Sequence, residues 1–391
     1  MKSITYFFAI VSTVLFLGQI SFLKFNIGYG YYGILALILF VYLFIGKTQL
    51  NLLMVWLILA GFLSIFFNKI PEFFKPYERL VALIILVGVI GPLILNSPLS
   101  KFRFLLFRNV KILLVSLTAV SFLGILIGVS WMYGRGGFAG LFNHSMMLGP
   151  MAAIALLISL DWGFRESNKK IRFSFYGLAG ISFITCVASG SRSALLAGIC
   201  GVLYFLYKTN KNQLFSFIKI VCLIGFLGSI SFPLWSDFTG RIIDKMEYAN
   251  ENDNLFVTRE FLWESRILEF ERSPVYGIGF GSVDTTLNDK FNKEEGTIEP
   301  GSSWLVVLSM VGLLGFIPLI ILILKLFVFI HKNENLQSDL ALLGALLTFY
   351  LVHMFAEGYI FSAGSGLFFM FWLTLGIIYQ LKKQQISSST Y

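Results

Sequence analysis

The chain is divided into long apolar blocks that are separated by short polar segments. Most blocks are near the ~20 residues that an α-helix needs to cross the hydrocarbon core of a bilayer. They lack the alternation of polar and apolar faces that is typical of helices in soluble proteins. The pattern therefore predicts an all-α polytopic membrane protein with about twelve transmembrane helices, at 4–23, 31–46, 50–67, 80–96, 110–129, 146–161, 173–189, 193–207, 215–234, 303–330, 339–356 and 361–380.

The segment 173–207 can be read as one helix or as two. One helix would be about 52 Å long, well beyond the ~30 Å hydrocarbon core. It would also place Arg192 near the bilayer midplane, where a charge is costly. Basic residues flank the segment on both sides, which favours two crossings. The sequence Ser189–Ser193 is therefore predicted to reverse the chain at the outer surface.

Composition and charge agree with a membrane protein. The chain is 57% hydrophobic and 13% charged, whereas soluble domains carry roughly a quarter charged residues. The net charge of +9 is typical of nucleic-acid binding or of a positive-inside bias. The predicted inner segments carry fifteen Lys and Arg and the short outer loops six, which favours the second explanation and places both termini in the cytoplasm. The run 4–23 is too long for a typical signal peptide and is interpreted as an uncleaved first span.

One long polar segment, 235–302, interrupts the apolar pattern with fourteen acidic and seven basic residues. The chain is therefore expected to form a single integral membrane domain, 1–391, with an extracytoplasmic loop inserted between spans 9 and 10. Within the loop, 259–271 predicts an amphipathic helix, with Trp263, Ile267 and Phe270 on one face and Arg259 and Arg266 on another.

Three glycines, Gly277, Gly279 and Gly281, follow this helix. No strand precedes them and no βαβ unit is visible, which excludes a dinucleotide-binding motif. They are interpreted as flexible backbone at the membrane surface.

Six side chains on the predicted outer side are candidates for chemistry, and each has a simpler explanation. An arginine at an interface binds any lipid phosphate, and arginines on a loop helix often form a solvated face. A histidine at a helix start is more often a cap, and a His–Glu pair one turn apart, here His353 and Glu357, can lie at an interface because it is polar. The candidates are Arg135, His144, Arg192, Arg259, Arg266 and Glu357.

Together the candidates predict a catalytic site for group transfer from a lipid-linked pyrophosphate. Arg135, Arg192, Arg259 and Arg266 are the predicted phosphate ligands, because guanidinium pairs bidentately with phosphate oxygens and stays charged. His144 or Glu357 would take a proton from the incoming hydroxyl. No acidic metal-binding motif occurs in a suitable place, so a metal-independent reaction without a cofactor is expected.

Four segments resemble the O-antigen ligase and polymerase family, membrane glycosyltransferases that build bacterial surface polysaccharides from undecaprenyl-linked precursors. Each motif is weak alone, but their order and membrane placement are together fairly specific. The segments are Gly140–Pro150, Ser189–Leu196, Arg259–Trp263 with Ser273–Gly281, and Trp304–Gly315.

The resemblance implies that Arg192 and Arg259 contact an undecaprenyl pyrophosphate-linked oligosaccharide at the bacterial cytoplasmic membrane. It also suggests membrane lipids, a chain-length regulator and a flippase as partners, and no nucleic acid. Ligases of the family carry His-Asn before the tenth span, where this chain has Gly301 and Ser302. The absent histidine leaves His144, Glu299 or Glu357 as a substitute, unless the pyrophosphate leaves without strong base assistance.

The absent histidine favours a polysaccharide repeat-unit polymerase over a ligase that transfers glycan to a lipid A-core or protein acceptor. A lipid-linked oligosaccharide flippase is the alternative outside the enzymes. Transporters usually consist of two related halves, and no such internal repeat is visible in this sequence.

Overall fold

The computed structural model describes residues 2–23, 27–134, 137–210, 257–287, 291–294, 296–333 and 337–388. These residues are mostly helical. In chain order the helices are α1 (Lys2–Ile20), α2 (Gly30–Ile45), α3 (Leu52–Phe67), α4 (Pro76–Val89), α5 (Ser97–Ile127), α6 (Ser145–Arg165), α7 (Lys169–Ala188), α8 (Arg192–Thr209), α9 (Val257–Arg272), α10 (Ser303–Lys332), α11 (Gln337–His353) and α12 (Gly366–Ser388).

Short antiparallel ribbons and single 3₁₀ turns join some of these helices. Strand β1 (Gln49–Leu50) pairs with β2 (Ile94–Leu95), and β3 (Tyr133–Gly134) pairs with β4 (Gly137–Phe138). The 3₁₀ turns are Glu72–Phe74 and Ser130–Met132.

Each predicted span that lies in the described part of the chain overlaps a helix, although the bounds differ, as for 80–96 against Pro76–Val89. Five helices, α1, α5, α6, α7 and α10, are long and apolar enough to cross a membrane, and α2 and α3 are apolar but shorter. The protein is therefore a mostly helical polytopic membrane protein. The predicted span 215–234 lies outside the described residues, so the count of twelve stays a prediction.

The ambiguous segment 173–207 forms two helices, as predicted. Helix α7 ends at Ala188 and α8 begins at Arg192. Gly190 between them has φ +69°, a left-handed conformation that glycine adopts without a steric penalty.

Helix α5 begins thirteen residues before the predicted span. The charged residues in its first turns had favoured a loop over a transmembrane helix. One of them, Arg103, is fully buried. Its Nε donates to the carbonyl of Val89 at 2.8 Å and its Nη2 to that of Gly88 at 2.9 Å. These carbonyls lie at the end of α4 and have no partner within that helix. The arginine therefore satisfies the terminus of a neighbouring helix.

Contacts between helix termini define two ends of the molecule. At the first, which we call the site end, the backbone of Asn143 donates to Ile20 at 3.0 Å and the Tyr32 hydroxyl donates to Ala363 at 3.1 Å. At the opposite end, Lys208 Nζ donates to the carbonyls of Ile330 and His331 at 2.7 and 3.0 Å. This grouping agrees with the alternating crossings that the sequence predicts.

Helix α10 is interrupted at Gly312, which has φ +59° and ψ −163°. The segment 274–278 fills the interruption by backbone hydrogen bonds. The amide of Leu313 donates to the carbonyl of Pro274 at 2.9 Å, and that of Ile278 donates to Ser309 at 2.8 Å. Backbone groups freed by a helix break must be satisfied within the protein where lipid surrounds it. The segment that follows α9 thus packs against the interruption of α10 and completes its backbone hydrogen bonding.

The glycines of this segment serve close packing, and their interpretation as flexible surface backbone was wrong. A Cβ on Gly277 would overlap the backbone of Met310 and Val311, and one on Gly312 would overlap that of Val275. All three predicted loop glycines, Gly277, Gly279 and Gly281, also have positive φ. Two backbones approach here more closely than any residue with a side chain allows.

Candidate active site

Arg259 lies in the first turn of α9 and meets carboxylates from two other segments. Its Nη2 donates to Glu357 Oε1 in the turn after α11, and its Nη1 lies 3.8 Å from Glu299 Oε1. The side chain of Arg259 is 16% exposed and that of Glu357 is 24% exposed. A half-enclosed pair keeps more Coulomb attraction than one on an open surface. The loop helix is therefore fastened at the site end by a cation that solvent still reaches.

The backbone around Glu357 is held in place by Ser303, the first residue of α10. Ser303 Oγ donates to the carbonyl of Glu357 at 2.7 Å and accepts from the amide of Tyr359 at 2.9 Å. The amide of Ser303 also donates to the carbonyl of Met354 at 2.9 Å. These bonds fix the turn after α11, so the position of the Glu357 carboxyl depends on its own side-chain rotamer.

His353 precedes Glu357 by one turn but points into the protein. It is 1% exposed and stacks on Phe349, with ring centroids 5.3 Å apart and an angle of 14° between the planes. Among the described residues, neither ring nitrogen has a hydrogen-bond partner. Of the predicted His–Glu pair, the structure therefore brings Glu357 to the surface of the site and leaves His353 behind it.

Arg192 begins α8 beside the start of α6. A Cβ on Gly149 of α6 would lie 2.6 Å from Ser189 Oγ and 2.7 Å from Ser191 Cβ. This glycine allows the α7–α8 reversal to lie against the first turns of α6. The Arg192 side chain is half-buried.

Arg192 and Glu357 lie at the same end of the molecule and at similar heights. Helices α8 and α11 run antiparallel, and a Cβ on Gly201 would lie 3.1 Å from the carbonyl oxygen of Ala345. Arg192 is nine residues before Gly201, or about 13 Å along the helix axis. Glu357 is twelve residues beyond Ala345, past the end of α11. The α7–α8 reversal and the Arg259 cluster thus lie at the same end of the molecule.

His144 precedes the first residue of α6 in an extended conformation, and its side chain is exposed. It makes no side-chain hydrogen bond that caps the helix. Helices α6 and α8 both begin at the site end, and helix N-termini carry partial positive charge that favours anions. His144 and Arg192 therefore lie where an anionic group is electrostatically favoured.

Arg266, predicted as a phosphate ligand, is fully buried in this structure. Its Nη1 donates to Glu269 Oε2 at 2.8 Å and to Ser309 Oγ of α10 at 3.2 Å. Glu269 Oε1 in turn accepts from the amide of Asp284 at 2.8 Å. These bonds connect α9 to α10 and to the turn at Asp284, which follows α9 in the chain. A further predicted phosphate ligand, Arg135, lies outside the described residues.

The predicted loop helix is observed, and the side that packs on the protein includes two charged residues. Arg266 and Glu269 are buried with Leu262, whereas Ile267 is 45% exposed and Phe261 is 45% exposed. The exposed side also carries Glu260, Glu264 and Glu271, so apolar and acidic residues share it. Sequence periodicity located the helix but did not indicate which face the protein would cover.

Gly301 occupies the place of the histidine in the family pattern, and its conformation restricts what can stand there. It has φ +75°, and a Cβ would lie 3.0 Å from the Cβ of Leu262. The neighbouring Ser302 is buried and donates from Oγ to the carbonyl of Met354 at 3.1 Å. A histidine at position 301 would be strained and would press on α9.

A cavity of about 940 Å³ opens at the site end and is lined in part by Thr297, Ile298 and Pro300, the neighbours of Glu299. Arg79, in the first turn of α4, donates from Nη2 to the carbonyl of Gly296 at its edge. In the sequence, Lys75 and Arg79 are only two of the positive charges in the short outer loops, and the cavity was not predicted. It is lined by Tyr29, Tyr32, Lys75, Tyr77, Glu78, Arg79, Val81, Ala82, Ile85, Gly281, Thr297, Ile298, Pro300, Val306, Met310, Phe361, Ser362 and Ala363.

A sequence model of the family described as O-antigen ligase matches residues 177–320. This match confirms the predicted resemblance. The matched region contains Arg192, Arg259 and Arg266, together with the interruption of α10, and it leaves His144 and Glu357 outside. The similarity to a family of membrane enzymes that handle O-antigen thus falls on the part of the chain that supplies the arginines.

A protein of Haemophilus influenzae that carries no functional description is 26% identical over 204 residues. The alignment covers 48% of this chain and 50% of that protein, so the chain spans about half the length of the curated relative that it matches.

Proposed function

We propose that the protein is a polysaccharide repeat-unit polymerase on the outer face of the bacterial cytoplasmic membrane. It transfers a glycan from undecaprenyl pyrophosphate to the terminal sugar of another lipid-linked unit. The observation that carries this proposal is Arg259, a half-buried cation whose main partner is the partly exposed carboxylate of Glu357. O-antigen, capsule and exopolysaccharide repeat units all belong to this substrate class.

The reaction begins with an exchange of anions on Arg259. The donor pyrophosphate carries more negative charge than a carboxylate and offers more acceptor oxygens to the guanidinium, so it displaces Glu357 from Arg259. Arg192 and the first turns of α6 and α8 add positive potential from the other side. Binding of the donor thus releases the Glu357 carboxylate close to the scissile bond.

The acceptor hydroxyl then attacks the anomeric carbon of the donor sugar. A new carbon–oxygen bond forms there, and the bond from that carbon to the pyrophosphate oxygen breaks. Undecaprenyl pyrophosphate leaves with the bonding electrons, and its developing charge is stabilised by Arg259 and Arg192. The hydroxyl proton passes to Glu357, with His144 as the alternative acceptor at the same end.

The test is a transfer reaction with purified full-length protein and a synthetic lipid-linked repeat unit, in the presence of a chelator. A polymerase gives a ladder of glycans that grow by whole repeat units. A single addition to a lipid A-core or protein acceptor would identify a ligase instead, and movement of the lipid without a new bond would identify a flippase.

Arg272 provides a matched control for this reaction. It lies on α9 like Arg259, but it is 52% exposed and pairs with Asp284. Arg259→Ala is expected to abolish the ladder, whereas Arg272→Ala is expected to keep it. Equal loss in both variants would show that α9 needs its arginines only for folding.

A further inference from the structure

The cavity beside α4 is divided into a polar rim and an apolar wall. Tyr77, Glu78 and Arg79 lie in the first turn of α4, at the rim. Val81, Ala82 and Ile85 continue down the same helix, and Ile85 lies about 9 Å deeper than Arg79 at 1.5 Å per residue. Val306 and Met310 of α10 form the facing part of the wall. The cavity therefore changes from polar to apolar along the direction in which a lipid lies in a membrane.

The rim contains a strained residue and two cations. Lys75 has φ 49° and ψ 54°. In the part of the chain that the structure describes, it is the only non-glycine residue with a positive φ. Such strain persists where the surrounding structure imposes it and is concentrated at functional sites. The Lys75 side chain is exposed, and Arg79 is four residues further on. Two positive charges thus stand where the polar and apolar parts of the cavity meet.

Tyrosines complete the rim. Tyr29 and Tyr77 are 69% and 56% exposed, and the Tyr29 hydroxyl donates to Glu78 Oε2 at 2.8 Å. Exposed tyrosines offer an apolar ring face and a hydroxyl at once, which suits the two faces of a sugar. The volume of about 940 Å³ lies at the upper end of the roughly 300–1,000 Å³ of ligand cavities.

The cavity adjoins the Arg259 cluster through the segment 296–300. Arg79 bonds to Gly296, and Glu299 lies beside Arg259. The Cα atoms of residues 296 and 299 are at most about 11 Å apart, because they are three residues apart. A molecule in the cavity therefore lies next to the site of the proposed transfer.

We propose that this cavity binds the acceptor, a second lipid with a phosphate-linked glycan head group. Lys75 and Arg79 contact its phosphates, the tyrosines contact its sugars, and its hydrocarbon chain lies along α4 and α10. This inference rests on the proposed function and extends it. A polymerase uses two pyrophosphate-bearing lipids, one of which loses its carrier while the other keeps it. Two cationic sites that both adjoin the segment 296–300 match that requirement.

The test separates acceptor from donor by using units that can act in only one role. The donor is blocked at its terminal hydroxyl. The acceptor carries its glycan on a short polyprenyl pyrophosphate through a carbon–phosphorus link that cannot be cleaved in the transfer, or on the same lipid without phosphate. In the wild type, removal of the phosphate is expected to raise the acceptor KM about tenfold. Lys75→Gln is expected to remove this difference and to leave the donor KM unchanged.

Lys69→Gln is the matched control, because Lys69 is an exposed lysine of the same loop that does not line the cavity. It should keep the full preference for the phosphorylated acceptor. Arg79→Gln, with its thermal stability measured, provides a second variant within the cavity. If both cavity variants keep the wild-type acceptor KM, the inference is overturned while the polymerase remains.

A direct binding arm covers the case in which the protein transfers no glycan. A photoreactive polyprenyl pyrophosphate should label α4 in the wild type and label it less in Lys75→Gln. Excess inorganic pyrophosphate or excess phospholipid should compete poorly. Labelling of α4 without any transfer would refute the polymerase but not the lipid site. Absence of labelling on α4, or equal competition by either competitor, would refute the lipid site.

Discussion

At the scale of single residues, Glu357 has two partners in the proposed reaction, Arg259 before the donor binds and a hydroxyl afterwards. Glu357→Gln keeps the shape of the side chain and removes its charge. We expect kcat to fall by roughly 10²–10⁴-fold, the usual contribution of a general base. The donor KM should stay the same or fall, because the carboxylate no longer competes for Arg259. Steady-state kinetics with a blocked donor measure both.

Glu299 is the control for this substitution. It is 54% exposed and 3.8 Å from Arg259, so its removal should change kcat far less. A Glu357→Gln variant with wild-type kcat would exclude Glu357 as the base and leave His144 to be tested.

Arg266 has a different role from Arg259, although both were predicted to bind phosphate. Arg266→Met leaves Glu269 as a buried charge without its partner, which typically costs about 3–5 kcal/mol. We expect a large fall in thermal stability in detergent, most of which the double variant with Glu269→Leu recovers. An Arg266→Met variant of wild-type stability that has lost donor affinity would show that Arg266 binds phosphate instead.

At the scale of elements, the interruption of α10 joins the loop to the membrane region. Gly312→Ala adds a Cβ that overlaps Val275 at a backbone with φ +59°. We expect it to destabilise the protein by more than about 1 kcal/mol, because no L-residue fits that conformation without strain. Fluorescence-detected size-exclusion chromatography after heating measures the change.

Gly180→Ala is the matched control on α7. A Cβ there has no neighbouring atom within 4 Å and the backbone does not require glycine. Alanine should be neutral or slightly stabilising, since it favours a helix by up to about 1 kcal/mol over glycine. Equal tolerance of both substitutions would contradict the tight packing of the segment 274–278 against α10.

The sequence was sufficient to locate helices but not to predict which surfaces meet. Apolar length identified the spans, because lipid selects for it directly. The burial of Arg103 and of Arg266 was not predicted, for one reason. Both depend on polar partners from another helix, Gly88 and Val89 for Arg103 and Ser309 for Arg266.

The candidate site shows the same limit. Arg259 and Glu357 were each identified as candidates, yet their contact joins residues 98 positions apart and no pattern indicates it. The cavity at Lys75 was missed because a Lys-Pro-Tyr-Glu-Arg run has no distinctive spacing. This run lines a cavity only together with Val306, Met310 and Phe361, which the fold brings next to it.

At the scale of the whole molecule, the site requires its end to face away from the cytoplasm. Lys69 lies at the site end and Lys47 at the opposite end, and both are exposed. In a background without the three native cysteines, Lys69→Cys should react with a membrane-impermeant maleimide in intact cells. Lys47→Cys should react only after permeabilisation. The reverse pattern would place the Arg259 cluster in the cytoplasm.

In the proposed reaction, a glycan passes from a pyrophosphate carrier at Arg259 to a second lipid-linked unit. New glycosidic bonds and released undecaprenyl pyrophosphate can be counted together in one reaction of purified protein with a lipid-linked repeat unit. We expect one carrier to be released for each bond formed, with both products absent in Arg259→Ala and present in Arg272→Ala. Bonds formed without release of the carrier, or normal release in Arg259→Ala, would contradict the proposed reaction.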